Sequence, residues 1–135
     1  MNKWQRYFMD VAIRTAQLSH CKRSQVGAVA VRDKRIICVG YNGTSPGEDN
    51  CCEDEHNITK PNVIHAEDNL IRFAKRNNID ISGTNLYTTL APCKSCASLI
   101  LSADFSEVFY LQQYRFTDGL DFLQSVGIST TYLGV

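Results

Sequence analysis

His65-Ala66-Glu67-Asp68-Asn69 and, 28 positions after His65, Pro92-Cys93-Lys94-Ser95-Cys96 are the two stretches around which the chain is organised. One imidazole and two thiolates offer three ligands to a zinc ion. They leave the fourth position to water, the coordination of a catalytic rather than a structural zinc. A closed knot wants four protein ligands, and this motif supplies no fourth. Glu67 stands beside the ligands without being needed as one, so it can carry protons. Cys93 and Cys96 are three apart and share one face of a helix. Pro92 suits the first turn of that helix, where a missing N–H costs nothing. Both thiols then lie at a helix N-terminus, whose positive end favours thiolate. His65 and Glu67 are two apart and would diverge on a regular helix. His65 is therefore expected at the entry to its helix, on non-helical backbone. Ala66 between them is small and offers a backbone N–H to a substrate carbonyl. Each motif thus opens a helix, and the two helices are expected side by side on one face of a sheet with their N-termini converging.

The rest of the chain supplies that sheet. Trp4, Tyr7, Phe8, Val11, Ala12, Thr15 and Leu18 recur at helical spacing, which predicts an amphipathic helix over about 3–19 packed on the core. The segments 26–31 and 35–40 read as two strands of a hairpin turning at Asp33-Lys34. A turn-rich, irregular stretch follows from Tyr41 to Ile64, and a loop this long leading into the metal motif is expected to be functional. Helix over 66–77, strand over 85–89, helix from Pro92 to about 103, strand over 107–111, helix over 118–126 and strand over 128–133 complete the order. This is an α/β chain with a mixed five-stranded sheet and helices on both faces. The last two strands, joined through a helix, are expected to be parallel by the right-handed crossover rule, and the expected strand order is 2-1-3-4-5.

Composition narrows the class. At 135 residues the chain reads as one domain over 1–135, and 44% hydrophobic with 21% charged residues is ordinary for a soluble globular protein. Lys+Arg and Asp+Glu are 14 each, so the net charge is zero. Nothing there favours long nucleic acid or a membrane as partner. Met1 to Asp10 is amphipathic and polar without an apolar h-region, so no secretory signal is expected. Of six cysteines, two belong to the zinc motif. Without a secretory signal, a reducing cytoplasm is the expected compartment and disulfides are not expected. Cys38, inside a strand, reads as core.

The H-x-E and P-C-x-x-C pair resembles the signature of the zinc-dependent nucleobase deaminases. The likeness extends along nearly the whole chain. Ser19-His20-Cys21, Val26-Gly27-Ala28-Val29, Gly40-Tyr41-Asn42-Gly43-Thr44, Asn50-Cys51, His65 to Asn69, Tyr87-Thr88-Thr89 and Pro92 to Cys96 together resemble the deoxycytidylate (dCMP) deaminase family in its compact bacterial and phage form. The zinc motif alone identifies only the superfamily, whereas the Gly-Tyr-Asn-Gly-Thr loop narrows it. Pro46 comes one place later than is usual in that loop, and Leu70 replaces the usual Ala.

The resemblance implies a three-layer cytidine-deaminase-like fold and hydrolytic deamination of dCMP to dUMP. The product feeds thymidylate synthesis, and dCTP is a further candidate substrate. His65, Cys93 and Cys96 would hold Zn2+, and Glu67 would shuttle the protons. Asn42 would meet the deoxyribose hydroxyl; its other reading is a turn residue, since Asn-Gly is itself a turn signal. Arg23, Tyr114 and Arg115 would bind the 5′-phosphate. A planar guanidinium is suited to that role because it donates two parallel hydrogen bonds. The resemblance also implies a homo-oligomer, with a hexamer favoured over a dimer, activated by dCTP and inhibited by dTTP. The loop carrying Gly43, Thr44, Asp49 and Asn50 would take part in that control, with Mg2+ offsetting the triphosphate. Some phage relatives hold a second, structural zinc with cysteines matching Cys21 and Cys51. Val63 offers no donor here, so Cys52 or His56 would have to complete such a set, and the alternative is ordinary loop thiols. Two competing readings remain at this level: a deaminase of bases within RNA or DNA, disfavoured by the missing basic groove, and a non-catalytic zinc module that binds a protein partner.

Overall fold

The computed structural model describes residues 1–134; Val135, the last position of the expected domain, lies outside the described residues. Strands β1 (Gly27–Arg32) and β2 (Arg35–Tyr41) form a hairpin. Its turn residues Asp33 and Lys34 take positive φ, 51° and 59°, the two-residue geometry that matches the twist of paired strands. With β3 (Asn85–Leu90), β4 (Glu107–Gln112) and β5 (Ser129–Tyr132) they make one sheet in the order β2-β1-β3-β4-β5. β1 is antiparallel to both its neighbours, while β3, β4 and β5 run parallel. The expected order is therefore the observed one.

The helices are α1 (Lys3–Ala16), α2 (Ala66–Arg76), α3 (Lys94–Ser102) and α4 (Asp118–Ser125). Two successive crossovers, β3-α3-β4 and β4-α4-β5, step in the same direction across the sheet. Right-handedness then puts α3 and α4 on the same face. Side chains alternate along the strands and divide the core in two. Ala28, Ala30, Leu86 and Val108 face Leu70 and Ala74 of α2, Ala97 and Ile100 of α3, and Leu123 of α4. Val29, Val31, Tyr87 and Phe109 face Phe8, Met9 and Ala12 of α1. On that side Phe8 packs tilted on Tyr87, which stacks on Phe109, with centroids 5.4 and 4.6 Å apart. β1 is buried on both faces, as befits a strand near the middle of a covered sheet.

Two expectations are corrected, and the irregular stretch gains detail. α1 ends at Ala16, and its buried strip is Phe8, Met9, Ala12, Thr15 and Ala16; Trp4 and Tyr7 lie on an adjacent, exposed strip, and Leu18, beyond the helix, is exposed as well. A broad apolar face rotated by one position serves the core as well, and periodicity alone does not choose between them. Pro92 precedes the helix instead of opening it: Cys93 is the N-cap of α3, with extended backbone at φ −73° and ψ 171°. The long irregular stretch is a closed, ordered loop. Gly43 and Ile64 exchange backbone hydrogen bonds at its base (3.0 and 2.8 Å), and Lys60 N donates to Cys52 O within it (2.8 Å).

Candidate active site

His65 caps α2 with extended backbone, φ −70° and ψ 159°, so its ring turns away from the helix while Glu67 projects from the first turn. Two contacts hold this entry in place. Asn69 Nδ2 donates to Tyr41 O (2.8 Å), tying α2 to the end of β2. Gly40 has no side chain because a Cβ there would stand 2.6 Å from Ala66 O, inside van der Waals contact with α2. Gly119 of α4 does the same for the other motif: a Cβ would lie 2.1 Å from Pro92 O, so α4 presses directly on the turn that presents Cys93. A cap and the third helical residue point to the same side, which brings Cys93 and Cys96 together.

The three donor atoms converge. His65 Nδ1 lies 3.2 Å from Cys96 Sγ and 3.5 Å from Cys93 Sγ, and all three lie within 4.8 Å of one another. Zinc–nitrogen and zinc–sulfur bonds at a tetrahedral angle space their ligand atoms by about 3.6 Å. The donor set therefore fits zinc by chemistry and by spacing. The local charges are arranged for a cation. Cys93, accepting hydrogen bonds from Cys96, His65 and Ser95, is brought down to about 3. The thiol of Cys96, donating to the ionised Cys93 and buried, is pushed well up. His65 is raised, chiefly by its hydrogen bond with Cys93. The pair thus keeps one shared thiol proton that a metal must expel.

Glu67 is 4% exposed. Burial raises its carboxyl above the usual carboxylate range, outweighing the opposing pull of His65 and Cys96. Thr88 Oγ1 stands 3.4 Å from Glu67 Oε1 and 3.0 Å from Leu90 O. The hydroxyl has one proton, and the shorter contact takes it to the carbonyl. Thr88 enters the sequence reading only within the Tyr87-Thr88-Thr89 stretch and is given no role there, although strand alternation puts it on the face of Leu86, beneath α2.

The site floors a cleft of about 530 Å³ lined by His65, Ala66, Glu67 and Cys93 and, around its rim, by Arg23, Asn42, Tyr114 and Arg115. That volume is typical of a small-molecule site. Arg115 stacks over Phe116 and Tyr114, with its guanidinium carbon 5.2 and 5.8 Å from the ring centres, which holds the fork at the rim. Asn42 Oδ1 accepts from Val26 N (2.9 Å) and its Nδ2 donates to Ser24 O (2.8 Å). The side chain pins the Arg23 segment and keeps one N–H for the cleft. Gly43, Thr44, Asp49 and Asn50 lie off the cleft lining, Asp49 using its carboxylate to accept from Cys51 N (3.1 Å).

The four residues considered for a second metal do not gather. Cys21 and Cys52, 31 positions apart, are joined in a disulfide, which the cysteine reading of the sequence had set aside. Cys51 turns outward with Sγ 3.2 Å from Glu53 O, and His56 is exposed at the surface. Glu53, for which the sequence held no spacing signal, is instead the third group beside the two sulfurs.

Residues 2–112 match the family model of the cytidine and deoxycytidylate deaminase zinc-binding region. The deoxycytidylate deaminase of Mycobacterium phage D29 is 36% identical over 121 residues, spanning 79% of this chain and 93% of that protein. The deoxycytidylate deaminase of Saccharomyces cerevisiae is 35% identical over 136 residues, and the chain spans 43% of its length. Among solved structures, the dCMP deaminase from cyanophage S-TIM5 in complex with dCMP and dUMP superposes with a TM-score of 0.94 at 37% identity, covering 98% of this chain and 99% of that one.

Proposed function

The chain belongs to the cytidine and deoxycytidylate deaminase family, and from that premise we propose that it hydrolyses dCMP to dUMP and ammonia. What carries the reading is a three-donor zinc site beside a buried glutamate at the floor of a cleft rimmed by two arginines. His65, Cys93 and Cys96 would hold zinc, and the bound ion supplies a water acidified toward neutral pH. Water adds at C4 of the cytosine ring and the C4–N bond breaks. Glu67 takes one proton from the attacking water and gives it to N3, then takes the remaining proton from the C4 hydroxyl and delivers it to the departing amine. One carboxyl serves both directions because it is buried and fixed within reach of all three positions. The backbone N–H of Ala66, in the first turn of α2 and so without a partner in the helix, meets the ring carbonyl. Asn42 offers its remaining N–H to the deoxyribose hydroxyl.

Arg23, Tyr114 and Arg115 bind the 5′-phosphate. Losing one charge-assisted contact costs about ten- to a hundredfold in kcat/KM. Arg115→Ala and Arg23→Ala are each expected to weaken dCMP turnover on that scale while leaving deoxycytidine turnover nearly as it was. Equal losses on both substrates would show that the arginines do not read a phosphate, and would remove the main support for a nucleotide substrate.

The product supplies thymidylate synthesis, in the cytoplasm where nucleotides are made. There Cys21 and Cys52, 3% and 0% exposed, are shielded from exchange with small thiols. The exposed Trp4 and Tyr7 of α1, with Leu18 just beyond it, favour association into a symmetric homo-oligomer, a hexamer above a dimer. The ordered loop from Gly43 to Cys51 carries control by dCTP and dTTP with Mg2+, dCTP being a further candidate substrate. Sedimentation at micromolar concentration, paired with dCMP saturation curves with and without each triphosphate, checks both. An oligomer whose curve shifts left with dCTP and right with dTTP is expected. A monomer with hyperbolic kinetics, unmoved by either, would contradict both.

A further inference from the structure

Arg23 lies on an exposed segment without helix or strand, yet a phosphate-reading arginine has to wait in one place. What fixes that segment is a buried carboxylate from the far loop. Glu53 is 7% exposed, and its Oε2 accepts from the backbone N–H of Lys22 (3.1 Å) and of Arg23 (3.2 Å), thirty-one and thirty positions away. A buried carboxylate is costly unless it is hydrogen-bonded, and two amide donors to one oxygen offset that cost. The same two segments are joined one residue back on each side by the Cys21–Cys52 disulfide. Covalent link and carboxylate clamp therefore sit next to one another and hold Arg23 in register at the rim.

The mode of attachment matters. A carboxylate paired with the guanidinium itself would occupy the fork. Here Glu53 grips main chain only, and among the described residues Arg23 makes no side-chain ion pair. Its donors stay free for an incoming anion. Asn42 holds the following residues in the same way, through Ser24 O and Val26 N, so the segment is pinned on both sides of Arg23 by backbone contacts. We propose that Glu53 is a positioning residue for Arg23, and that by holding the backbone of Lys22 and Arg23 it sets the enzyme's preference for a 5′-phosphorylated substrate. The inference rests on the phosphate reading of Arg23 given above.

The test compares Glu53→Ala, Glu53→Gln, Arg23→Ala and the double variant Glu53→Ala/Arg23→Ala, each assayed on dCMP and on deoxycytidine. The disulfide keeps the two segments joined in every variant, and thermal melts accompany the kinetics. Glu53→Ala is expected to raise KM for dCMP about tenfold with kcat little changed, so that the preference for dCMP over deoxycytidine falls by that factor. Glu53→Gln keeps a carbonyl oxygen able to accept both N–H groups and is expected to recover most of the preference. The double variant is expected to be no more impaired on dCMP than Arg23→Ala alone, because Glu53 acts through Arg23. Additive losses in the double variant, or equal losses on both substrates, would overturn the inference by making Glu53 an independent or merely structural contributor. A selective Arg23→Ala with a silent Glu53→Ala would sink the role of Glu53 and leave the phosphate reading standing. A non-selective Arg23→Ala would sink the phosphate reading, and this inference with it.

Discussion

Glu67→Ala is expected to lower dCMP turnover by about a thousandfold, within the range removed with a general acid–base group, while the protein still holds one zinc per chain. The two halves of that outcome separate proton transfer from metal binding. Glu67 is outside the set of converging donors, so its loss leaves three ligands intact. Its two polar neighbours are committed elsewhere. Thr88 Oγ1 is spent on Leu90 O, and the neighbouring Asp68 is turned outward, pairing with Arg72 at 2.9 Å. Ammonia release, with zinc measured by atomic absorption on the same sample, checks both halves. Near-normal turnover would remove Glu67 from the proton path; loss of zinc along with activity would make it a ligand instead.

Cys96→Ser, or zinc removal by a chelator, is expected to abolish turnover and to destabilise the fold. Zinc at a thousandfold above its Kd stabilises by about 4 kcal/mol. For a domain of this size that is roughly 10–20 °C in Tm. Stability enters because the two motifs open different helices, and the ion is what would tie the entry of α2 to that of α3. The pH dependence has a definite sign. In the zinc-free site Cys96 holds its proton, and His65, raised above its ordinary value, takes one up more readily on acidification, so zinc competes with protons at both. Zinc affinity therefore rises with pH and falls as the solution is acidified through and below neutrality. The zinc-dependent part of the Tm falls with it. A Tm insensitive to chelation at pH 8 would contradict the assignment.

Much of this was open to reading in the chain. The sheet order followed from one hairpin and two right-handed crossovers, which leave few topologies. The capping position of His65 followed from a two-residue spacing that a regular helix cannot satisfy. What stayed hidden depends on contacts across long separations. Cys21 pairs with Cys52 and not with Cys51, and nothing in adjacent cysteines tells which one the loop turns inward. Glu53 looks like any other acidic loop residue until the loop closes over the Arg23 segment. Trp4 and Tyr7 fit a core-facing stripe by spacing but stand exposed, Trp4 with the ammonium of Lys34 5.0 Å from its ring. Periodicity identifies an apolar face without saying which edge of it meets the sheet.

The central claim is that the cleft deaminates a free deoxynucleotide. It is tested most directly by ammonia release from the purified zinc protein on cytosine, deoxycytidine, dCMP, dCTP, CMP and a short cytosine-containing oligonucleotide, with the nucleotide product identified. The expected result is dUMP formed from dCMP at a kcat/KM at least about tenfold above that for deoxycytidine, the least that one phosphate contact contributes, and no reaction on the oligonucleotide. Deamination of the oligonucleotide with dCMP inert, or no ammonia from any of the six by a zinc-loaded protein, would contradict it.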